Sequence, residues 1–346
     1  MNSYSFRNDY SEGAHPSILQ ALIETNMSQQ DGYCQDDYSK EAVKIIQNQI
    51  QNSNADIHFL SGGTQANLIV ISSILRPYES VISANSGHIN VHEAGAIEAT
   101  GHKINYVNTK DGKLTPSDIK VIVDEHDNDP PHMVKPRLVY ISNSTEIGTI
   151  YKKKELEDIS AFCKSKNLFL FLDGARLGSA LCSSENDLTL AELSNLVDVF
   201  YIGGTKNGAM IGEAIVINND ELKKDFGFHL KQKGALLGKG RLFGVQFKEL
   251  FKNGLYFELA KHANAMASKL SENIKEQGYS FLTQSTTNQI FPILPNSRIE
   301  QLSQKYGFYV WSKIDENNSA IRLVTSWATK EEAVISFIQD LKKTRY

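Results

Sequence analysis

The sequence predicts an α/β protein in which a large domain with a mixed, mostly parallel seven-stranded sheet precedes a small α+β domain. Short apolar runs alternate with helical patterns through most of the 346-residue chain. Seven of these runs are candidate strands of the sheet: residues 57–60, 81–84, 103–107, 138–142, 168–173, 197–202 and 213–217. The fifth run is apolar without alternation, which is typical of a strand that helices cover on both faces.

The segments between the runs support this architecture. Residues 152–166 lie between two candidate strands and carry Leu156, Ile159 and Phe162 among charged residues. This pattern predicts a helix that crosses over between parallel strands.

The pattern changes near residue 246. A long amphipathic helix is predicted at residues 256–277, and a last helix from Thr329, where Thr329 and Glu332 match a capping box. Strand-like runs lie between them at 289–294, 308–314 and 320–327. We therefore predict an N-terminal arm at residues 1–14, a large domain at 15–245 and a small domain at 246–346.

Composition excludes several classes of protein. The hydrophobic fraction of 41% and the charged fraction of 22% predict a folded globular chain. The net charge of −4 does not indicate a basic surface for binding nucleic acid. No apolar run is long enough to span a membrane, and the first residues lack an apolar signal core. Cys34, Cys163 and Cys182 have no metal-like spacing, so we expect free thiols, no metal site and a cytoplasmic location.

Two motifs at the ends of neighbouring predicted strands carry the most information. Asp173-Gly-Ala-Arg176 follows one strand, and Lys206 follows the next in a glycine-rich segment. A lysine beside a paired carboxylate and cation is what pyridoxal phosphate (PLP) requires, because the lysine forms a Schiff base and the carboxylate keeps the ring nitrogen protonated. The structural alternatives are a solvated lysine and an aspartate that caps the next helix.

A third motif is typical of a phosphate site. The segment Ser61-Gly-Gly-Thr-Gln65 joins a predicted strand to a helix, and backbone N–H groups at a helix N-terminus bind phosphate. Gly63, Thr64 and Gln65 are the candidate contacts, although a tight strand–helix turn would give the same pattern. No Walker motif or dinucleotide fingerprint is present, which disfavours a nucleotide-dependent enzyme.

His88 and Arg322 are two further candidates for a site that binds and converts an amino acid. His88 follows a predicted strand, where an imidazole can stack on a pyridine ring or relay a proton. Arg322 lies within a predicted strand of the small domain, where a guanidinium can bind a carboxylate with two hydrogen bonds. The alternatives are a core histidine and an exposed edge arginine.

Taken in order, these motifs resemble the low-specificity threonine aldolases, in the β-eliminating lyase group of PLP enzymes with the aspartate-aminotransferase-like fold. The resemblance runs nearly end to end. The segments that carry it are residues 6–9, 33–36, 61–67, 88 with 93–95, 144–148, 173–176, 205–206, 239–241 and 322–325.

The resemblance implies roles for particular residues. Lys206 would hold the cofactor, Asp173 would pair with its ring nitrogen and His88 would stack on the ring. Arg176 and Arg322 would hold the substrate carboxylate. The resemblance further implies phosphate contacts from Gly63, Thr64 and a neighbouring subunit's Arg241, a loop tyrosine from across a dimer interface at Tyr33, and a histidine near the substrate hydroxyl at His132.

The sequence also departs from the pattern of that group. Asn8 replaces a serine that helps to bind carboxylate, residues 143–147 replace a Glu-Asn-Thr-His-Asn stretch, and Asn207 replaces a glycine after the lysine. These departures bear on substrate choice more than on cofactor binding.

The predicted activity is retro-aldol cleavage of a β-hydroxy-α-amino acid, such as L-threonine or L-allo-threonine, to glycine and an aldehyde, with His88 or His132 as candidate bases. The partners expected are the small amino-acid substrate and copies of the chain in a homodimer or homotetramer with shared sites. Another PLP lyase, an aminotransferase and a non-catalytic PLP-fold protein remain as alternatives.

Overall fold

The computed structural model describes residues 4–128 and 130–343, and its strands fall into one large and two small sheets. In chain order the strands are β1 (Tyr4–Ser5), β2 (Asp56–Leu60), β3 (Glu79–Ala84), β4 (Ile104–Val107), β5 (Lys135–Ser142), β6 (Phe169–Asp173), β7 (Val199–Gly203), β8 (Glu213–Ile217), β9 (Gln289–Ile290), β10 (Ile293–Pro295), β11 (Tyr306–Gly307), β12 (Tyr309–Lys313) and β13 (Asn318–Val324).

Helices surround these sheets. They are α1 (Pro16–Thr25), α2 (Asp37–Gln49), α3 (Gly63–Ile74), α4 (His88–Val91), α5 (Pro116–Asp127), α6 (Lys153–Ser165), α7 (Leu177–Leu181), α8 (Leu190–Leu196), α9 (Asp220–Lys223), α10 (Phe226–Gln232), α11 (Arg241–Lys252), α12 (Leu255–Glu276), α13 (Asn296–Ser303) and α14 (Glu331–Lys343), with a 3₁₀ turn at Glu98–Thr100. Within the described ranges, none of these helices is long and apolar enough to cross a membrane.

The large sheet has seven strands in the order β2-β8-β7-β6-β5-β3-β4. Strand β8 runs antiparallel to both of its neighbours, and the other neighbouring pairs are parallel. The seven predicted strands and the mixed, mostly parallel sheet are therefore confirmed. Helix α6 connects the parallel neighbours β5 and β6, as the sequence pattern predicts.

Both faces of this sheet are buried. Along β6, Leu170 and Leu172 belong to one hydrophobic core, while Phe169 and Phe171 belong to a second core on the opposite face. Because side chains alternate between the faces of a strand, two covering layers require apolar residues at every position. This explains the uninterrupted apolar run in the sequence.

One edge of the sheet collects the ends of several strands. The parallel strands β3, β5, β6 and β7 all end there, and β8, which runs in the opposite direction, begins there with Glu213 paired to Gly203. Ligands bind at the carboxyl ends of strands in open α/β sheets. This edge is therefore where the fold places a site.

The small domain differs in detail from the sequence prediction. The single run predicted at 289–294 forms two strands, β9 and β10, separated by Phe291 and Pro292. Proline has no N–H group to donate to a strand ladder, so the pairing is interrupted there. Strand β13 ends at Val324, three residues before the predicted end.

The predicted capping box at the last helix is wrong. The Thr329 hydroxyl accepts a hydrogen bond from the N–H of Ser326 at 2.8 Å, and α14 begins at Glu331. The hydroxyl is therefore used by the preceding turn rather than by the helix.

The N-terminal arm packs with the small domain. Strand β1 pairs in parallel with β11, and the buried Phe6 joins a core formed by α12, α13, α14 and strands of the small sheet. Helix α11 spans the predicted domain boundary at 245 and contributes Phe243 and Phe247 to the core of the large domain. The exact division into domains stays a prediction.

We expect Phe337→Ala, in α14, to lower the free energy of unfolding by about 3–5 kcal/mol, because it leaves a cavity in the small-domain core. Ile335→Ala is the control on the same helix, since Ile335 is 38% exposed and such surface changes stay within about 0.5 kcal/mol. Urea denaturation measures both, and equal losses would contradict the assignment of this core.

Candidate active site

A cavity of about 200 Å³ opens at the carboxyl edge of the large sheet. Six residues predicted for the site line it: Gly63, Thr64, His88, Asp173, Arg176 and Lys206. The remaining lining residues are Tyr10, Ser142, Ser144, Glu146, Ala175 and Tyr201. The structure thus brings together the central residues of three motifs that lie far apart in the sequence.

Asp173, the last residue of β6, is buried and accepts four hydrogen bonds. Its Oδ2 accepts from the hydroxyl of Tyr140 at 2.6 Å and from Nδ2 of Asn67 at 3.1 Å. Its Oδ1 accepts from the hydroxyl of Tyr201 at 2.5 Å and from the N–H of Ala175 at 2.9 Å. Such donors stabilise the ionised form of a carboxyl group.

The electrostatic balance keeps Asp173 ionised. Burial by itself would raise the pKa of Asp173, but the nearby His88 ring and the hydrogen bonds from Tyr140 and Tyr201 outweigh it, so this pKa lies below its ordinary value. Burial next to this charge raises the pKa of both tyrosines. The hydroxyls therefore stay protonated and act as donors.

Lys206 lies in the turn that follows β7 and lines the same cavity. Burial lowers the pKa of its amine, and the positive charge of Arg176 lowers it further, while Asp9, Asp173 and Glu213 act in the opposite direction. A lysine with a lowered pKa supplies more of the neutral amine, which is the nucleophilic form.

Glu213 is a buried carboxyl group behind the lysine turn. Its Oε2 accepts a hydrogen bond from the N–H of Gly204 at 2.9 Å. Burial raises the pKa of Glu213 to about 8, although the Lys206 charge opposes this shift. The fold positions it here because β8 starts at the carboxyl edge.

Arg176 is held by a carboxylate from the N-terminal arm. Its Nε and Nη2 donate to the two oxygens of Asp9 at 2.7 and 3.0 Å, and Nδ2 of Asn288 donates to Asp9 at 2.8 Å. Burial alone would raise the pKa of Asp9, but the charges of Arg176 and Lys206 reverse that effect and lower it. The guanidinium is therefore fixed at the cavity wall, with Nη1 not used by this pair.

The start of α3 has the features of an anion site. The first intrahelical bond runs from the N–H of Ala66 to the carbonyl of Gly62, which leaves the N–H groups of the preceding residues without helix partners. A Cβ at Gly63 would lie 2.9 Å from the Tyr201 hydroxyl oxygen, so a side chain there would collide with a donor to Asp173. The side chain of Gln65 instead bridges Ser61 and the carbonyl of Lys233.

His88, the first residue of α4, is oriented by a buried acid. Its Nδ1 lies 2.8 Å from Oε1 of Glu93, and the same oxygen accepts from Nδ2 of Asn67 at 2.7 Å. The contact with this buried carboxyl group fixes the orientation of the imidazole ring.

Arg322 does not line the cavity, but it lies close enough to act on it electrostatically. Its guanidinium carbon lies 5.4 Å from the ring centre of Tyr309 and 5.1 Å from that of Trp311. Burial lowers its pKa, and the Arg176 charge lowers it further. Two neighbouring guanidinium groups produce a field that attracts an anion.

Two residues predicted for the site lie in other clefts of the same chain. Arg241 lines a surface groove of about 980 Å³, where it donates to the carbonyls of Thr25 and Ser28. Tyr33 lies along a second groove of about 930 Å³, with the Lys231 amine 4.7 Å from its ring centre. That Arg241 and Tyr33 contribute to the cavity of a neighbouring subunit stays a prediction.

Asn8 and His132 are also absent from the cavity wall. The Asn8 side-chain oxygen accepts from the N–H of Tyr10 and the hydroxyl of Ser11, so it stabilises its own turn. His132 is exposed just before β5, whereas the cavity lies at the far end of that strand. At about 3.3 Å per residue the two ends are roughly 23 Å apart.

Sequence reasoning missed several groups that the structure places at the site. Asp9, Asn67 and Glu93 are polar residues in segments that the resemblance covers, which is the sequence signal that could have identified them. The structure buries all three. Glu146 lies in the stretch that departs from the related pattern. Glu213 was treated only as the start of a strand.

The cavity residues fit PLP. Lys206 supplies an amine, Asp173 a fixed negative charge, α3 a helix N-terminus for a phosphate and His88 a ring beside them. The hydroxyl oxygen of Ser144, which also lines the cavity, is buried without a hydrogen-bond partner among the described residues. No group of three or more His, Cys, Asp and Glu residues in the described ranges could hold a metal ion.

The fold and this site define a PLP-dependent, aminotransferase-like class of α/β protein. An aspartate aminotransferase from Thermus thermophilus superposes with a TM-score of 0.72 over 99% of this chain and 91% of its own, at 12% identity, which shows the shared fold.

The chain belongs to the beta-eliminating lyase family, whose model matches residues 6–296. It is 32% identical to a low specificity L-threonine aldolase from Pseudomonas aeruginosa over 99% of this chain and 98% of that protein. It is 50% identical to the solved threonine aldolase of Leishmania major, with a TM-score of 0.96 over 98% of this chain and 99% of that one.

Removal of the Asp9 carboxylate tests the ion pair with Arg176. We expect Asp9→Ala to destabilise the protein by about 3–5 kcal/mol, because it leaves a buried guanidinium unpaired. Asp37→Ala is the control, since its pair with Lys40 is exposed and such pairs contribute at most about 1 kcal/mol. Chemical denaturation that gave equal effects would contradict a structural role for Asp9.

Glu213 should make stability depend on pH. Its pKa is about 8 in the folded protein and near 4.5 in the unfolded chain. The folded state then binds more protons between these values, so this group's contribution to stability falls as the pH rises through that window. In cofactor-free protein we expect Glu213→Gln to flatten the dependence of the unfolding free energy between pH 5 and 8. An unchanged slope would show that Glu213 titrates normally.

Proposed function

We propose that this protein binds PLP through Lys206 and cleaves a β-hydroxy-α-amino acid, such as L-threonine or L-allo-threonine, to glycine and an aldehyde. The observation that carries the proposal is the shared cavity of Lys206, Asp173 and Arg176. Membership of the beta-eliminating lyase family and the full-length similarity to threonine aldolases support the reaction class.

The electrostatics of the cavity suit this cofactor. Bound PLP withdraws electrons from the α-carbon of an attached amino acid, so that a bond at this carbon can break. The four donors to Asp173 keep that carboxylate ionised, which lets it hold a protonated ring nitrogen. The lowered pKa of Lys206 provides the neutral amine for attachment.

The two arginines determine which bond breaks. Arg176 is fixed by Asp9 at the cavity wall, and Arg322 lies within its electrostatic range. A carboxylate held between them would orient the α-carbon of the substrate, and bound PLP would weaken the bond at this carbon that the arginines place for cleavage. For cleavage to glycine this would be the Cα–Cβ bond, so the arginines would select it by position.

His88 would stack on one face of the cofactor ring. Glu93 holds Nδ1 of His88, which fixes the plane of the ring beside Lys206 and Asp173. The N-terminus of α3, with Gly63 and Thr64, would receive the phosphate.

The protein is proposed to act as a homodimer or homotetramer in the cytoplasm. Arg241 and Tyr33 point into grooves outside their own chain's cavity, and a neighbouring subunit is the proposed recipient of both. The three free cysteines agree with a reducing compartment.

The test begins with cofactor attachment. Purified protein incubated with PLP should show a visible absorption band that shifts with L-threonine, and borohydride should fix the cofactor to Lys206 by mass analysis. Lys206→Ala should lose the adduct and the activity. Lys154→Ala, which removes an exposed lysine, should keep both.

Product analysis then separates the reaction classes. Acetaldehyde and glycine formed from L-threonine in equal amounts would support cleavage. Transfer of the amino group to an added keto acid would instead identify an aminotransferase, and a cofactor band that no amino acid shifts would identify a non-catalytic protein.

A further inference from the structure

Glu146 is a carboxyl group in the cavity that the roles described above leave unused. It follows β5 in the turn that also contains Ser144, and it lines the cavity beside His88 and Lys206. Its Oε1 accepts from the backbone N–H of His88 at 2.9 Å and from the hydroxyl of Ser142 at 2.7 Å. These two bonds fix the position of the carboxyl group.

The second oxygen of this group accepts no hydrogen bond from another residue. Oε1 receives the bonds from His88 and Ser142, and no other residue within 4–128 or 130–343 donates to Oε2. A carboxylate oxygen that is held in place but has no donor can accept a hydrogen bond, or a proton, from a molecule in the cavity.

The other acid–base groups of the cavity have assigned partners. Asp173 is engaged by four donors, and Tyr201 donates to it. Nδ1 of His88 is engaged by Glu93, and its ring is proposed to stack on the cofactor. Lys206 is proposed to hold the cofactor itself. Glu146 is the carboxylate that these roles leave over.

We propose that Glu146 takes the proton from the β-hydroxyl group of the substrate during cleavage. The inference rests on the proposed function and deepens it by naming the base. It replaces the two histidines that the sequence suggested, because the ring of His88 is proposed to stack on the cofactor and His132 lies at the opposite end of β5 in the same chain.

The step balances without another reagent. The hydroxyl proton passes to Oε2 of Glu146, and the electron pair of the O–H bond forms the carbonyl group of the aldehyde. The Cα–Cβ bond breaks and leaves its electron pair on the α-carbon. That carbon later gains one proton to become glycine, so the proton lost from oxygen equals the proton gained by carbon.

The surroundings of Glu146 favour this transfer. Burial raises the pKa of Glu146, and the neighbouring Asp173 charge acts in the same direction, while the Ser142 hydrogen bond and the nearby His88 ring oppose it. A carboxylate that gains from becoming neutral is a stronger base than an exposed one.

Glu146→Gln tests the assignment, because the amide keeps an oxygen for His88 and Ser142 but cannot accept the proton. With PLP bound, we expect kcat for L-threonine to fall by roughly 10²- to 10⁴-fold. Two other measurements should be unchanged: the absorbance shift on adding glycine, and the exchange of the glycine α-proton in D₂O. Neither involves a hydroxyl group.

Glu185→Gln is the control, because Glu185 is exposed and pairs with Lys152. Full L-threonine cleavage by the Glu146→Gln protein would overturn the inference alone. Equal losses of cleavage and glycine exchange would also overturn it, since they would indicate a structural or general role. A wild-type protein that exchanges glycine but cleaves no β-hydroxy-α-amino acid would overturn the proposed function, and this inference with it.

Discussion

The buried carboxylate of Asp173 is the group on which the site depends. A negative charge in a protein interior is costly unless donors compensate it, and here two tyrosine hydroxyls, an amide and a backbone N–H do so. These donors come from β5, the turn after β6, β7 and α3, so the charge is stable only when the large sheet and α3 are assembled. The ionised Asp173 that the cavity needs therefore depends on the same strand order that forms the large sheet.

Much of the large domain could be predicted because its central strands β6, β7 and β8 are buried on both faces and therefore form apolar runs in the sequence. The partly exposed strands β2 and β4 also matched predicted runs. The small domain was harder to predict, since β9 and β10 have only two and three residues and Pro292 lies between them. The Thr329 hydroxyl could accept a hydrogen bond from the N–H of Ser326 or from an N–H in the first turn of α14. The local sequence does not reveal which of these two bonds forms.

The residues of the site were likewise predictable only where they follow a strand of the large sheet. Asp173 and Lys206 were predictable because parallel strands end at a common edge, which turns a position in sequence into a position in space. Asp9 and Glu146 reach that edge from a terminal arm and a turn, for which no periodicity exists. Arg241 and Tyr33 line grooves outside the cavity of their own chain, so their predicted roles stay untested by the single chain.

The N-terminal arm links the small domain to the cavity. Its strand β1 and Phe6 are anchored in the small domain, and three residues later Asp9 holds Arg176 of the large domain. The arm therefore connects the core of the small domain to the wall of the cavity. A substitution that removes the packing of Phe6 would loosen Asp9 and, through Asp9, the guanidinium of Arg176, even though Phe6 itself lies outside the cavity.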